Sequence, residues 1–294
     1  MRGLEGLSSL RELDAFYVSG SEDGGEVSNL EDLKNLNHIQ RSLEIGWLRN
    51  VTDPEDGKKA ELKSKEHLVD LTLEFSRTTS SNRITIRDDE VLEALEPPPI
   101  LETLRIEHYQ GIREFPSCIM SLTKLKVVTL WSCHKIENLP PFGKLPSLEF
   151  LNVFFMDEVI KVGHELLGLQ IDDRDNAKTR KESKGEMVSP SNIIAFPKLK
   201  RLYFGGMENW EEWDDGSWTR GNEDKTNMSI MPCLRSLGIF DCPKLKALPD
   251  YLYQSTTLEE LQINSSPILA KHFQERTGKG WPNISHTPNI RIIN

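Results

Sequence analysis

The chain is short of cysteine, of long apolar runs and of positive charge, and each shortage removes a class of protein. Four cysteines in 294 residues are too few for a disulfide framework to hold so long a chain, so Cys133 and Cys242 are expected as reduced, buried thiols. No run approaches the roughly 18 apolar residues needed to cross a bilayer. The opening Met1-Arg2-Gly3-Leu4-Glu5-Gly6 lacks the apolar stretch of a secretory signal. The expected location is therefore the cytoplasm, and the nucleus as well, without a membrane span. Asn50-Val51-Thr52, Asn227-Met228-Ser229, Asn264-Ser265-Ser266 and Asn283-Ile284-Ser285 then match the glycosylation tripeptide without a compartment in which it acts. With 36 Lys+Arg against 46 Asp+Glu the net charge is −10, which opposes broad attraction to nucleic acid.

Catalytic signatures are equally scarce. Gly278-Lys279 is the one phosphate-loop candidate, but Gly280 stands where a Ser or Thr would hold magnesium. The histidines, including His134 beside Cys133 and His272 at an expected core slot, have no Cys-x-x-Cys or His-x-x-x-His companion to build a zinc site. No Gly-x-Ser-x-Gly elbow is present, and the carboxylates are spread over turns as on a solvated acidic surface. The sequence assigns no catalytic residue, cofactor, metal or small-molecule substrate.

What the chain does contain is a repeat. Leu234, Leu237, Ile239, Cys242, Leu245 and Leu248 occupy the first, fourth, sixth, ninth, twelfth and fifteenth places of one unit, a spacing that fits neither a helix nor a long alternating strand. It is the frame of a leucine-rich repeat. The same slots hold Leu101, Leu104, Ile106, Tyr109, Ile112 and Phe115, then Leu125, Val128, Leu130, Cys133, Ile136 and Leu139, then Leu148, Leu151, Val153, Met156, Val159 and Val162. A further unit runs Leu199, Leu202, Phe204, Met207, Trp210, Trp213, so both tryptophans fall in core slots. The last runs Leu258, Leu261, Ile263, Ser266, Leu269. Upstream, a strand ends near Val18, and Leu43-Glu44-Ile45 and Leu71-Thr72-Leu73 are the next two. A helix is expected from Asp53 to Lys65, and another from Asp88 to before Pro97-Pro98-Pro99.

Stacking such units gives an α/β solenoid with a curved parallel β-sheet on the concave face, and short helices and irregular turns on the convex face. The expected organisation is one domain over 1–294 whose N-terminus begins mid-repeat, with charged excursions near 170–192 and 214–227 and a closing segment over 278–294 that ends in an Ile-Arg-Ile strand. Function falls to the outward places of the strands. The fifth carries Arg105, Asn152, Tyr203 and Gln262; the seventh Glu107, Trp131, Phe154 and Phe240; the eighth His108 and Phe155. The frame gives no reason for large rings there, and exposed aromatic clusters commonly mark protein-binding surfaces. The competing expectation is that some of them tuck under the charged excursions.

Four stretches carry a resemblance: Leu43-Glu44-Ile45 through Asn50-Val51; Asp88-Asp89-Glu90-Val91-Leu92-Glu93-Ala94-Leu95-Glu96-Pro97-Pro98-Pro99; Leu139-Pro140-Pro141-Phe142-Gly143-Lys144-Leu145-Pro146-Ser147-Leu148; and Trp210-Glu211-Glu212-Trp213. Together they resemble the C-terminal leucine-rich-repeat region of plant coiled-coil, nucleotide-binding, leucine-rich-repeat disease resistance proteins. The resemblance implies a non-enzymatic module of an intracellular immune receptor. Its partner would be a pathogen effector, a guarded host protein or the receptor's own nucleotide-binding module. The coiled coil and nucleotide-binding module are absent here, so nucleotide switching does not carry over, and the chain is expected to be a fragment or a truncated product. The alternative is a leucine-rich-repeat adaptor such as a ubiquitin-ligase substrate receptor.

Overall fold

A computed structural model describes residues 7–20, 28–76, 88–111, 115–168, 193–214, 228–274 and 287–293. Outside them lie the expected excursion over 170–192, all but Asp214 of the one over 214–227, most of the closing segment over 278–294, Ile112, and Gly278 to Gly280.

Fourteen strands follow in chain order among the described residues. They are β1 Ala15–Tyr17, β2 Arg41–Gly46, β3 Leu68–Glu74, β4 Thr103–Glu107, β5 Val127–Trp131, β6 Phe150–Phe154 and β7 Lys161–Val162, then β8 Ile193–Ala195, β9 Arg201–Gly205, β10 Glu212–Trp213, β11 Met228–Ile230, β12 Ser236–Phe240, β13 Glu260–Asn264 and β14 Asn289–Ile293. Ten of them form one sheet in the order β1-β2-β3-β4-β5-β6-β9-β12-β13-β14, with every pairing parallel. Two small parallel pairs, β7 with β10 and β8 with β11, flank it.

The register explains why leucine recurs. Leu104, Val128, Leu151, Leu202, Leu237 and Leu261 lie side by side in one row, and Ile106, Leu130, Val153, Phe204, Ile239 and Ile263 in the next; all twelve are fully buried. Each such side chain contributes about 1.5–3 kcal/mol on burial, and strands about 4.8 Å apart are close enough for the rows to close over each other. One repeat alone buries too little to offset the ordering of its own backbone.

Past each strand the chain makes one recurrent turn. The eighth residue is left-handed in His108 (φ 58°), Ser132 (55°), Phe155 (59°), Gly206 (62°), Asp241 (49°) and Ser265 (49°). A non-glycine residue loses about 1–2 kcal/mol in this conformation, and a ladder bond holds it there. The eighth N–H donates to the seventh carbonyl of the following strand, as from His108 to Trp131 (2.9 Å), Phe155 to Gly205 (2.8 Å) and Asp241 to Asn264 (3.0 Å). The ninth residue then enters the core. Where that residue is Ser266, its Oγ accepts the Cys242 N–H (3.1 Å) and donates to the Asn264 carbonyl (3.0 Å), which allows full burial of a hydroxyl.

Short helices occupy the opposite side, at Asp56–Lys59, Asp88–Leu95, Ser117–Met120, His164–Leu167, Asp250–Tyr253 and Pro267–Gln274. The expected helix over 53–65 is instead the four-residue Asp56–Lys59 and a separate 3-10 turn, Leu62–Ser64. Glu61 between them is left-handed (φ 47°), and that break sends both Leu62 and Lys65 inward. His272 is exposed rather than in the core. Pro267–Gln274 follows a helical period, so Leu269, Ala270 and Phe273 form the buried face. Phe115 is half-buried, its ring packing edge-on against Tyr109 (5.9 Å) and Phe142 (5.7 Å).

Among the buried polar side chains, Lys65 and the Arg49–Asp88 pair carry charge into the interior. The Lys65 ammonium donates to the carbonyls of Leu33 (2.7 Å) and Leu36 (3.4 Å). Burial lowers its pKa to about 8, against a small opposing pull from Glu61. Arg49 pairs with Asp88 (3.3 Å) and donates to the His108 carbonyl, while Asp88 also accepts the Gln110 N–H (2.7 Å). Burial still holds the Asp88 carboxyl above its ordinary range.

Candidate functional site

The seventh place of the sheet is a single row. In strand order from β1 to β14, leaving out the flanking pairs, it runs Tyr17, Gly46, Glu74, Glu107, Trp131, Phe154, Gly205, Phe240, Asn264 and Ile293. These side chains stand on the face opposite the buried Leu and Ile rows, because successive residues of a strand point to opposite faces.

The parallel register brings the aromatic members together. The Trp131 ring lies 5.4 Å from Phe154 and 4.8 Å from Phe155, which is itself 6.4 Å from Phe154. Tyr203 and Phe240 meet edge-on at 6.2 Å. Glycine joins the two groups. A Cβ on Gly205 would come within 2.6 Å of the Phe154 ring and 3.4 Å of Phe240, and one on Gly238 within 2.5 Å of the Phe240 ring and 2.7 Å of Tyr203. The rings therefore lie flat along the sheet, over backbone that only glycine leaves open. They are half-buried apart from Phe155, which is exposed.

The other expected residues frame this cluster. Arg105 sits with its guanidinium over the Trp131 ring (5.3 Å) and contacts the Glu107 carboxylate. His108 takes the left-handed turn beside them and is half-buried. Asn152 donates to Thr129 Oγ1 (3.1 Å). Gln262 lies beside Gly238 on the next strand and donates to Glu260 (2.8 Å); Glu260 also accepts the Ser236 hydroxyl (2.9 Å), and Ser236 lies 3.0 Å from the Tyr203 hydroxyl. These hydrogen bonds hold the Glu260 carboxyl below its ordinary range, from Gln262 first and then Ser236.

Two aromatic residues escaped the sequence reading. Tyr17 and Trp47 pack at 5.0 Å at the other end of the same face. Trp47 stands two places after Ile45 as Phe155 stands two after Val153, so carrying the frame into the first repeats would have found it. With them come Glu44, which accepts the Tyr17 hydroxyl (2.9 Å), and Glu74, which accepts the Trp47 N–H (3.1 Å). The Tyr17 phenol is held above its usual range, mainly by its hydrogen bond to Glu44.

Among the described residues no group of three or more His, Cys, Asp or Glu is placed to hold a metal ion, and no helix is long and apolar enough to cross a membrane. The Cys133 and Cys242 thiols are buried and pushed up to about 12 by desolvation, which makes them inert.

Parallel strands in a register broken only by one shift between β2 and β3, a recurrent left-handed turn and a row of buried leucines define a leucine-rich-repeat solenoid. Residues 30–156 match the family described as R13L1/DRL21 LRRs. Two candidate disease resistance proteins of Arabidopsis thaliana are similar to the chain. At3g14460 is 32% identical over 95% of this chain and 18% of its own length. RPP13-like protein 1 is 32% identical over 81% of this chain and 21% of its own. Disease resistance protein RGA2 of Solanum bulbocastanum is 27% identical over 98% of this chain and 26% of its own. The chain thus belongs to the leucine-rich-repeat regions of plant disease resistance proteins, and spans about a fifth to a quarter of the length of these relatives. A solved leucine-rich-repeat protein of Leptospira interrogans aligns at 13% identity over 99% of this chain and 97% of its own, with a TM-score of 0.17, too distant a likeness to inform the site.

Proposed function

We propose that the chain is the recognition module of an intracellular plant immune receptor and that it binds protein through the face bearing Trp131, Phe154, Phe155, Tyr203 and Phe240. The ligand of that face is a pathogen effector, a guarded host protein or the receptor's own nucleotide-binding module. The observation that carries this reading is the aromatic row itself. Rings with no role in the buried rows are gathered over Gly205 and Gly238 on the open side of the sheet, where aromatic side chains supply much of the binding energy of protein interfaces. The similarity to disease resistance proteins supplies the biological setting.

The test is co-precipitation of the chain with a nucleotide-binding module of a related receptor supplied in trans, and separately with plant extract. Replacing Trp131 and Phe154 together by alanine is expected to weaken capture at least about tenfold, the scale of one hot-spot residue, while the thermal unfolding midpoint moves by only a few degrees. Capture that is unchanged would remove the proposal. So would a stability loss as large as that of a core substitution, since the rings would then belong to the packing. Binding to the supplied module alone would select restraint of the receptor over direct sensing.

A further inference from the structure

The open face changes character along the arc. From β5 to β12 it is aromatic, whereas β2, β3 and β4 present Glu44, Glu74 and Glu107. Glu74 and Glu107 lie directly opposite each other on adjacent strands, an arrangement that works against stability because like charges repel there. Glu107 has Arg105 as its partner. Among the described residues Glu44 and Glu74 have only neutral donors, the Tyr17 hydroxyl and the Trp47 N–H. Aromatic rings border this acidic strip on both sides, with Tyr17 and Trp47 at one edge and Trp131 at the other.

The chain itself shows which group suits such a border. The Arg105 guanidinium rests on Trp131 and touches Glu107 at once, combining a cation–π contact with a charge-assisted hydrogen bond. No cation of the chain does the same for Glu44 and Glu74 among the described residues, and the whole chain carries a net charge of −10.

We infer that the face takes a partner segment pairing an apolar or aromatic anchor with basic residues, the anchor on the rings of β5 to β12 and the basic part over Glu44, Glu74 and Glu107. This rests on the preceding reading of the face as a protein-binding surface, and adds the chemistry and direction of the occupant. Six strand steps separate β2 from β12, about 29 Å at the usual strand spacing, a distance that about nine extended residues cover.

The probe is a library of random 12-residue peptides selected for binding to the whole chain. Selected peptides are expected to be rich in Lys and Arg beside an aromatic or aliphatic residue. Their affinity should fall at least about tenfold for Glu74→Lys with Glu107→Lys, and fall again as salt is raised from about 0.05 to 0.5 M, which shortens the reach of the charges. Glu74→Gln with Glu107→Gln should give a smaller loss in the same direction, and serves if the lysine pair fails to fold. Neutral or acidic binders that ignore both charge variants, yet are lost on Trp131→Ala with Phe154→Ala, would overturn this inference and leave the aromatic recognition face standing. Binders insensitive to every one of these variants would overturn both.

Discussion

Beside β2 to β4 the interior holds Lys65, Arg49 and Asp88, while beside β9 the comparable space holds Phe204, Trp210 and Trp213 with ring centroids 4.9 to 5.2 Å apart. Both regions obey one frame. The frame specifies where strands and turns stand, and leaves the filling behind the sheet free to be polar or aromatic. The polar filling depends on hydrogen-bonded charges and on pH, the aromatic one chiefly on close contact between rings. The open face divides at the same place, carboxylates on β2 to β4 and rings from β5 to β12.

The sharpest way to break this contrast is to disturb each filling by its own weakness. Trp210→Ala removes a fully buried ring whose N–H also satisfies the Glu212 carbonyl (2.8 Å), and is expected to cost up to about 5 kcal/mol in denaturant unfolding. A loss of only a few tenths would mean that the aromatic region is not held by packing.

Next in size is Asp88→Ala, which strands the Arg49 guanidinium at 15% exposure and should cost about 3–4 kcal/mol. Arg49→Met with Asp88→Leu should recover most of that, since the pair gains little over an apolar substitute of similar size. A double variant as unstable as the single one would show that the hydrogen bonds to His108 and Gln110, not the charges, are what matter.

The smallest expected effect is the response of Lys65 to pH. Its folded pKa of about 8 lies below the ordinary 10.5, so between those values the unfolded chain binds the proton more tightly. Stability therefore rises with pH across that window, by no more than about 3 kcal/mol. The Cys133 and Cys242 thiols act the other way at alkaline pH, because their folded pKa values are raised to about 12. The measurement is thus the difference between the wild-type and Lys65→Met unfolding curves at pH 7 and pH 10. A difference that does not change with pH would remove Lys65 as the source.

The inward rows were legible because burial is written directly as Leu, Ile and Val at fixed places; Cys133, Tyr109 and Trp210 followed from position alone. Lys65 was not legible, since its partners are the backbone carbonyls of Leu33 and Leu36, which leave no mark in a sequence. The Arg49–Asp88 pair spans 39 residues and becomes visible only once the helix at Asp88 is set against the turn after β2. At the open face the aromatic columns stand as neighbours from β5 onward, where the leucine frame recurs clearly even though the spacing between paired strands runs from 23 to 51 residues. Tyr17 and Trp47 were missed because the first repeats carry the leucine frame only in part, so the register has to be known before the columns can be lined up. His272 marks the limit of the frame itself, where a helix takes over the end of a repeat and its own period decides what is buried.

Strand order that follows chain order has a consequence for how the molecule comes into being. In the stretch from β3 to β6 each strand pairs with one made only 23 to 33 residues earlier. At ordinary rates of protein synthesis, roughly 5–20 residues per second, a new layer leaves the ribosome every few seconds and finds its docking row already assembled. Growth can proceed by accretion, one layer on the last, with little waiting for distant sequence. The long gap between β6 and β9, where Arg201 pairs with Phe150, is the step at which this accretion pauses longest.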